Sequence, residues 1–338
     1  MPRELATVTA KGTPAEIAAT LEQLREHGLT LEARRRSPAT RKVYDRELAA
    51  FEAWAKAHNL SSDLGATESV YGYLTYLSKL KALATVCKVA AVLSSLAQDR
   101  GYASPLKNDR VAALLEGFRR PADSDDEKAA DEEIPATRGE RNALQIDDLR
   151  KALAQIERDS LLGKRDAAIL LLGFVGALRR SELVALNFSD VRFDDRGATL
   201  TIRRSKTDQH GKSAVVPVPK GANPETCPVE ALRAWVAAAE ITSGKLLRSI
   251  NRYGRVGPSL SARFIAETVK RLATRAKLKN VERLSAHSLR AGAATHAAKT
   301  GAARESIKRL GRWKSDVYER YIRFETPWED AAAARFGM

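Results

Sequence analysis

Several short strings in the second half of the chain carry side chains able to grip a phosphate or move a proton. Ala177-Leu178-Arg179-Arg180-Ser181-Glu182-Leu183 follows the apolar run Ile169–Val175, so an arginine pair stands where a buried element stops. A planar guanidinium at such a point can hold a phosphate through two parallel N–H donors. The same placement also suits a helix cap or an ion pair with Glu182. His287-Ser288-Leu289-Arg290 sets a histidine and an arginine three residues apart, on one face if the run to Ala298 is helical. A proton carrier and a fixed cation would then share a site, the alternative being an ordinary structural histidine. Gly311-Arg312-Trp313-Lys314 and Tyr321-Ile322-Arg323 add an indole and a phenol, side chains that taken singly belong to cores more often than to active sites.

The elements that must position these groups are mostly helical. Thr13-Pro14-Ala15-Glu16 opens a short helix that closes at Gly28, and Ser37-Pro38 opens a second with Val43, Leu48, Phe51 and Trp54 at helical spacing and Arg41, Lys42 and Arg46 interleaved. Further helical patterns cover Val70–Leu77, Ala84–Arg100 and Val111–Phe118. Between Pro121 and Pro135 lie seven acidic residues, one lysine and almost no large apolar side chains, the composition of a linker. Beyond it, helical patterns at Leu149–Ile156 and Ala167–Val175 precede two β-rich runs, Ala198–Ile202 and Ala214–Val218, with turn residues Asp208–Gly211 between them. That predicts a hairpin with a loose tip. Helical patterns return at Pro228–Ala239, Ala262–Ala276, Ala286–Ala298 and Glu305–Leu310.

Composition bounds the function classes. A chain of 338 residues with 44% hydrophobic and 29% charged residues supports two folded domains and excludes disorder throughout. The net charge of +15 attracts polyanions, nucleic acid above all. Two distant cysteines, Cys87 and Cys227, cannot build a disulfide framework or a four-cysteine zinc site, and no cluster of metal ligands appears, so neither a metal nor another cofactor is expected. The Met1-Pro2-Arg3-Glu4-Leu5 start and the lack of long apolar stretches lead to an expectation of no membrane association and a cytoplasmic, nucleoid-associated protein.

The conjunction Arg-x-Ser-Glu-Leu, a hairpin lysine, His-x-x-Arg, Gly-x-Trp and Tyr-Ile-Arg, in that order and downstream of a basic helical region, resembles the tyrosine site-specific recombinases of the phage integrase family, most of all the Cre-type ones. The resemblance spans about residues 37–325, with specific motifs in the second half only. It implies a mainly α fold with a small β-hairpin or sheet in the catalytic domain, two domains forming a C-shaped clamp. Residues 1–33 are then an N-terminal extension with a short helix, 34–120 a helical core-binding domain, 121–139 an acidic linker and 140–325 the catalytic domain. Residues 326–338 form a tail helix that docks on a neighbouring protomer or on its own domain.

Carried over residue by residue, the resemblance implies Arg179 as the first catalytic arginine, with Glu182 as its acidic companion and Arg180 as the spare. Lys206 resembles the hairpin lysine, with Lys212 across the turn as the alternative. His287 and Arg290 match the His-x-x-Arg pair and Trp313 the His-or-Trp position. Tyr321 resembles the nucleophile because it opens Tyr-Ile-Arg. The family commonly spaces these last two by nine residues, whereas here the interval is eight, and Tyr318 is the alternative phenol. Arg41, Lys42, Arg46, Lys81 and Lys88 are the candidates for backbone contacts to double-stranded DNA, which would make binding steeply salt-dependent.

Such a set of groups can act on a phosphodiester without a metal. Two arginines and an indole N–H would neutralise charge building on the nonbridging oxygens. A phenol, with an ordinary pKa near 10, needs a base such as His287, and the departing 5′-oxygen needs an acid such as Lys206. The family reading implies a homo-tetramer on inverted-repeat half-sites, a 3′-phosphotyrosine intermediate and a Holliday junction, with no ATP. The competing readings are a type IB topoisomerase-like or resolving enzyme, a catalytically inactive DNA-binding relative and a metal-dependent nuclease.

Overall fold

The structure, a computed structural model, describes residues 22–28, 35–119, 142–203 and 213–323. The chain divides into two units, residues 1–138 and 139–338. Among the described residues of the first unit, every regular element is a helix: α1 (residues 22–28), α2 (Pro38–Ala57), α3 (Thr67–Leu80), α4 (Leu83–Asp99) and α5 (Asp109–Gly117), with one 3₁₀ turn at Pro105–Lys107. Ser37 caps α2 by accepting the Thr40 N–H at 3.2 Å, with Pro38 at the first helical position, where its missing N–H costs nothing. Apolar residues at helical spacing meet in one core in which Phe51, Leu74, Leu93 and Val111 are wholly buried.

The second unit contains α6 (Ile146–Leu153), α7 (Leu161–Val175), α8 (Arg180–Ala185), a three-stranded sheet, then α9 (Pro228–Ala238), α10 (Ala262–Arg275), α11 (Ala286–Lys299), α12 (Arg304–Gly311) and a 3₁₀ turn at Asp316–Tyr321. Helix α7 is apolar on every side because it is surrounded: it packs on both α9 and α11, and nearly every residue from Arg165 to Phe174 is buried. The apolar run that reads as one strong segment in sequence is thus the central post of the unit.

The sheet is antiparallel with order β1-β2-β3, β1 being Val191–Asp194, β2 Gly197–Ile202 and β3 Ala214–Pro219. Val191 faces Leu200 across one ladder and Ile202 faces Ala214 across the other. Ala198, Leu200 and Ile202 point into the core with Val216 and Val218, while Pro217 and Pro219 are tolerated because β3 is an edge strand. The β2–β3 hairpin appears where the sequence predicts it, and its tip lies outside the described residues. Strand β1 was not expected: four residues are too few for alternation to register. It is fixed by a turn in which Asp194 Oδ1 accepts the Arg196 and Gly197 N–H groups, and a Cβ on Gly197 would meet Val218 O at 2.2 Å.

The expected fold, mainly α with a small sheet, is the fold observed. Among the described residues no helix is long and apolar enough to cross a membrane.

Candidate active site

Helix α11 delivers two of the candidate groups. Ser285 caps it by accepting the His287 N–H at 3.2 Å, and Ser288 Oγ returns the favour to the Ser285 N–H at 3.0 Å. The segment before α6 fixes its depth: Leu144 N donates to Ser288 O at 2.9 Å, and a Cβ on Gly292 would lie 2.0 Å from Leu144 O. His287, in the first turn, stays exposed, whereas Arg290, one turn on, has no exposed surface. Arg290 donates from Nη1 to Ala177 O and from Nη2 to Gly311 O, and no carboxylate hydrogen-bonds it among the described residues.

Arg179 stands at the N-cap of α8 with extended backbone, its side chain 12% exposed. Its Nη1 donates to Glu182 Oε1 at 2.7 Å and its backbone N–H to Glu182 Oε2 at 2.9 Å, so the acid three residues on caps the helix and holds the guanidinium together. Arg180, the spare, points outward and is exposed.

Trp313 follows α12 and is buried, with the Arg290 guanidinium carbon 4.1 Å over its ring. Its Nε1, like Arg290 Nε, finds no acceptor among the described residues. The 3₁₀ turn then brings round the two tyrosines. Tyr321 has its ring centroid 5.0 Å from Trp313 and 6.3 Å from His287, with Arg290 5.6 Å above it. Its carbonyl accepts from Thr295 Oγ1 on α11 at 3.3 Å, Thr295 accepts the Arg323 N–H at 2.9 Å, and Gln145 Nε2 donates to Arg323 O at 3.3 Å. Tyr318 faces the same indole at 6.3 Å but is buried, its hydroxyl accepting from Arg304 Nε at 2.8 Å. His287, Arg290, Trp313 and Tyr321 are therefore joined through direct contacts, Arg179 and Glu182 form a second contact pair, and Tyr318 is turned to a structural partner.

One residue of this site carried no assignment from sequence. Arg312, side chain 12% exposed, reaches Glu182 Oε2 with Nη2 at 2.7 Å and joins Arg290 in donating to Ala177 O. The available signal was spacing, because Arg312 lies nine residues before Tyr321, the interval that Trp313 misses by one. Two guanidinium groups, Arg179 and Arg312, thus share one carboxylate, close enough for its charge to act on Arg290. Burial would raise the Glu182 carboxyl, but Arg312 and the contacts from Arg179 hold it below the ordinary carboxylate range. Burial, then the charges of Arg179 and Arg312, lowers Arg290 to about 9, so it remains a cation at neutral pH. Burial lowers Arg312 too, against the pull of Glu182.

The remaining candidates fall elsewhere. Lys206 and Lys212 lie outside the described residues, as does the 326–338 tail; the strands flanking the loop end at the Ile202–Ala214 pair. Arg41, Lys42, Arg46, Lys81 and Lys88 are all exposed on the first unit. Two of them are engaged: Arg46 and Lys88 both reach Glu47 Oε1, at 2.5 and 3.4 Å, and together outweigh the burial that would raise that carboxyl. Among the described residues no group of three or more His, Cys, Asp or Glu side chains could hold a metal ion.

Comparison with known proteins bears on the same region. Residues 142–324, over half of the chain, match the phage integrase family. An integrase/recombinase XerD homolog of Selenomonas ruminantium is 29% identical over 317 residues, covering 91% of this chain and 89% of that one. A tyrosine recombinase of Synechococcus elongatus is 30% identical over 295 residues, 85% of each. In fold, the chain is similar to a lambda integrase dimer bound to a COC′ core site, with a TM-score of 0.56 at 18% identity over 90% of this chain and 95% of that one. Matched through its second half and, by the relatives, through most of its length, the chain belongs to the phage integrase family of DNA breaking and rejoining enzymes.

Proposed function

We propose that the protein is a site-specific recombinase that cuts and reseals double-stranded DNA through a covalent 3′-phosphotyrosine on Tyr321. One observation carries the reading. Around the Tyr321 ring stand a histidine, an indole and a wholly buried arginine, and among the described residues the indole N–H lacks an acceptor and no carboxylate is hydrogen-bonded to the arginine. A buried cation without an anion is costly, and a phosphodiester is the anion whose arrival would satisfy it. Arg290 keeps three of its five N–H donors uncommitted among the described residues, and Arg179 spends only Nη1 on Glu182.

In the proposed step, Tyr321 Oη attacks phosphorus while His287 takes its proton, and Arg179, Arg290 and Trp313 Nε1 hold the nonbridging oxygens as negative charge grows. The bond from phosphorus to the 5′-oxygen breaks, and Lys206 supplies the proton that leaves a 5′-hydroxyl. Attack on the phosphotyrosine by the 5′-hydroxyl of a second duplex reverses each of these transfers, so the bond energy is conserved and no ATP is consumed. Two rounds on paired sites exchange strands through a Holliday junction. Assembly as a homo-tetramer is part of the same reading, with the 326–338 tail docked on a neighbouring protomer and residues 34–120 gripping DNA through Arg41, Lys42, Arg46, Lys81 and Lys88. A lambda integrase tetramer bound to a Holliday junction, similar in fold at a TM-score of 0.52 and 16% identity, supports the plausibility of that architecture without bearing on its residues.

A nicked suicide duplex carrying the recognition site tests the chemistry in the presence of EDTA. The wild type and Tyr318→Phe form a protein–DNA adduct, Tyr321→Phe does not, and Tyr318→Phe loses about 1 kcal/mol of stability with its bond to Arg304. An adduct that survives Tyr321→Phe overturns the assignment. A plasmid with two sites separates recombination from relaxation alone, the outcome that a type IB topoisomerase-like enzyme would give.

A further inference from the structure

Arg312 is the guanidinium of the cluster that, among the described residues, has spent most of its donors on protein. Its Nη1 donates to Gly176 O at 3.2 Å and Leu310 O at 3.1 Å, and its Nη2 to Ala177 O at 3.3 Å and Glu182 Oε2 at 2.7 Å. Four of five N–H groups therefore face protein, and the fifth, on Nε, is buried with no acceptor among the described residues. Arg179 and Arg290, by contrast, hold donors in reserve. Arg312 also adopts left-handed backbone, φ 57° and ψ 43°, which a non-glycine residue keeps only where its surroundings demand it. Its chief anionic partner, Glu182, is the same carboxylate that receives both the side chain and the backbone of Arg179. The carbonyls it binds at Gly176 and Ala177 belong to the turn joining α7 to α8, the turn that precedes Arg179.

We propose that Arg312 is a positioning residue, which pins Glu182 and the α7–α8 turn so that Arg179 meets the phosphate in register, and that it does not itself bind the phosphate. The assignment rests on the recombinase reading for the identity of the substrate, but its geometry concerns only protein groups. Arg312, with four of its donors bonded to protein, is thereby distinguished from Trp313, its neighbour, whose single donor has no acceptor among the described residues.

The test compares Arg312→Gln, Arg312→Lys, Glu182→Gln and the double variant Glu182→Gln/Arg312→Gln. DNA affinity is measured in a Tyr321→Phe background and single-turnover cleavage on a suicide duplex at saturating protein. For Arg312→Gln we expect affinity within about threefold of the parent and cleavage ten- to a hundredfold slower, the signature of misplaced rather than missing contacts. Glu182→Gln should be slowed similarly, and the double variant should be no slower than the worse single one, because both act through one link. Arg312→Lys, which keeps the charge but not the fork, should recover part of the rate. A carboxyl NMR titration, assigned by difference from Glu182→Gln, should show the Glu182 carboxyl titrating at higher pH in Arg312→Gln; this readout stands even if the wild type forms no adduct, an outcome that would sink the recombinase reading alone. The proposal is overturned if Arg312→Gln weakens DNA binding tenfold or more and flattens its salt dependence by about one phosphate contact, if the two losses multiply, or if the Glu182 titration stays put. Should Arg312→Gln fail to fold by circular dichroism, Arg312→Lys carries the affinity, rate and titration comparisons in its place.

Discussion

Replacing Trp313 with phenylalanine separates what the indole does for the fold from what it does for the reaction. The ring is buried against Arg290 and Tyr321, and its Nε1–H has no acceptor among the described residues. Phenylalanine preserves the aromatic face toward both neighbours but lacks three ring atoms, a loss of roughly 2 kcal/mol at ~0.8 kcal/mol per methylene-sized group. It also removes a buried, unpaired donor, whose desolvation costs about 1–3 kcal/mol. These contributions oppose each other, so the melting temperature of the second unit should move by no more than about 4 °C, given ~2–4 °C per kcal/mol at this size. Cleavage should respond quite differently. If the N–H is reserved for a nonbridging oxygen, its loss resembles removal of one oxyanion donor, about 10²–10³ in rate or roughly 2.7–4 kcal/mol. Single-turnover adduct formation on a suicide duplex, read beside a thermal melt, makes the comparison. A variant that cleaves within threefold of the wild type would show that the indole only packs; a rate lost in proportion to a large fall in melting temperature would refute the reasoning equally.

Two further perturbations probe the same pocket from its supports. An ideal Cβ on Gly311 would fall 1.9 Å from Trp313 Cζ3, so Gly311→Ala must drive the indole off Arg290; we expect about 1–3 kcal/mol of destabilisation, altered tryptophan fluorescence and a cleavage loss at least as large as that of Trp313→Phe, and unchanged fluorescence with normal cleavage would contradict the packing argument. Because Arg312 and Arg179 hold the folded Glu182 carboxyl below its unfolded value, against burial, Glu182 contributes stability that is fully present above the ordinary carboxylate range and is lost as pH falls through the lowered value. Urea midpoints should therefore decline more steeply on acidification below about pH 5 in the wild type than in Glu182→Gln, and equal slopes would remove Glu182 from the linkage.

Legibility followed the strength of the local signal. The capped start at Ser37-Pro38, the helical run from Ala286, the apolar run that became α7 and the β2–β3 pair could be read directly, because each rests on residues within a few positions of one another. Strand β1 could not, since its pairing depends on a turn at Asp194 and a close approach at Gly197 that alternation does not encode. The inward choice of Arg179 over Arg180 follows from Glu182, which can cap only the residue three before it, so i, i+3 spacing contained that answer. Arg312 stayed hidden for the opposite reason. Its partners Gly176, Ala177 and Glu182 lie 130 or more positions away in sequence, and its left-handed backbone is unusual for arginine, so nothing local announces a residue committed to the turn before Arg179.

The distribution of strain and unpaired donors gives these observations a common cause. Ala177 and Arg312, both non-glycine residues at positive φ, each at a cost of about 1–3 kcal/mol, meet at the cluster, where Arg312 donates to the carbonyl of Ala177. Close by are N–H groups of Arg290, Arg312 and Trp313 with no acceptor among the described residues, and a carboxylate shared by Arg179 and Arg312. A sequence under selection for stability alone would relieve such a site with a glycine at the turn, a second acid near Arg290 or an acceptor for the indole. The added acid or acceptor would also take the donors that an incoming phosphate needs on the proposed reading. On the recombinase reading proposed above, the arrangement that costs stability is the same one that leaves donors fixed and dehydrated for a phosphate whose charge rises during the reaction, so that stabilisation would be delivered where the barrier lies.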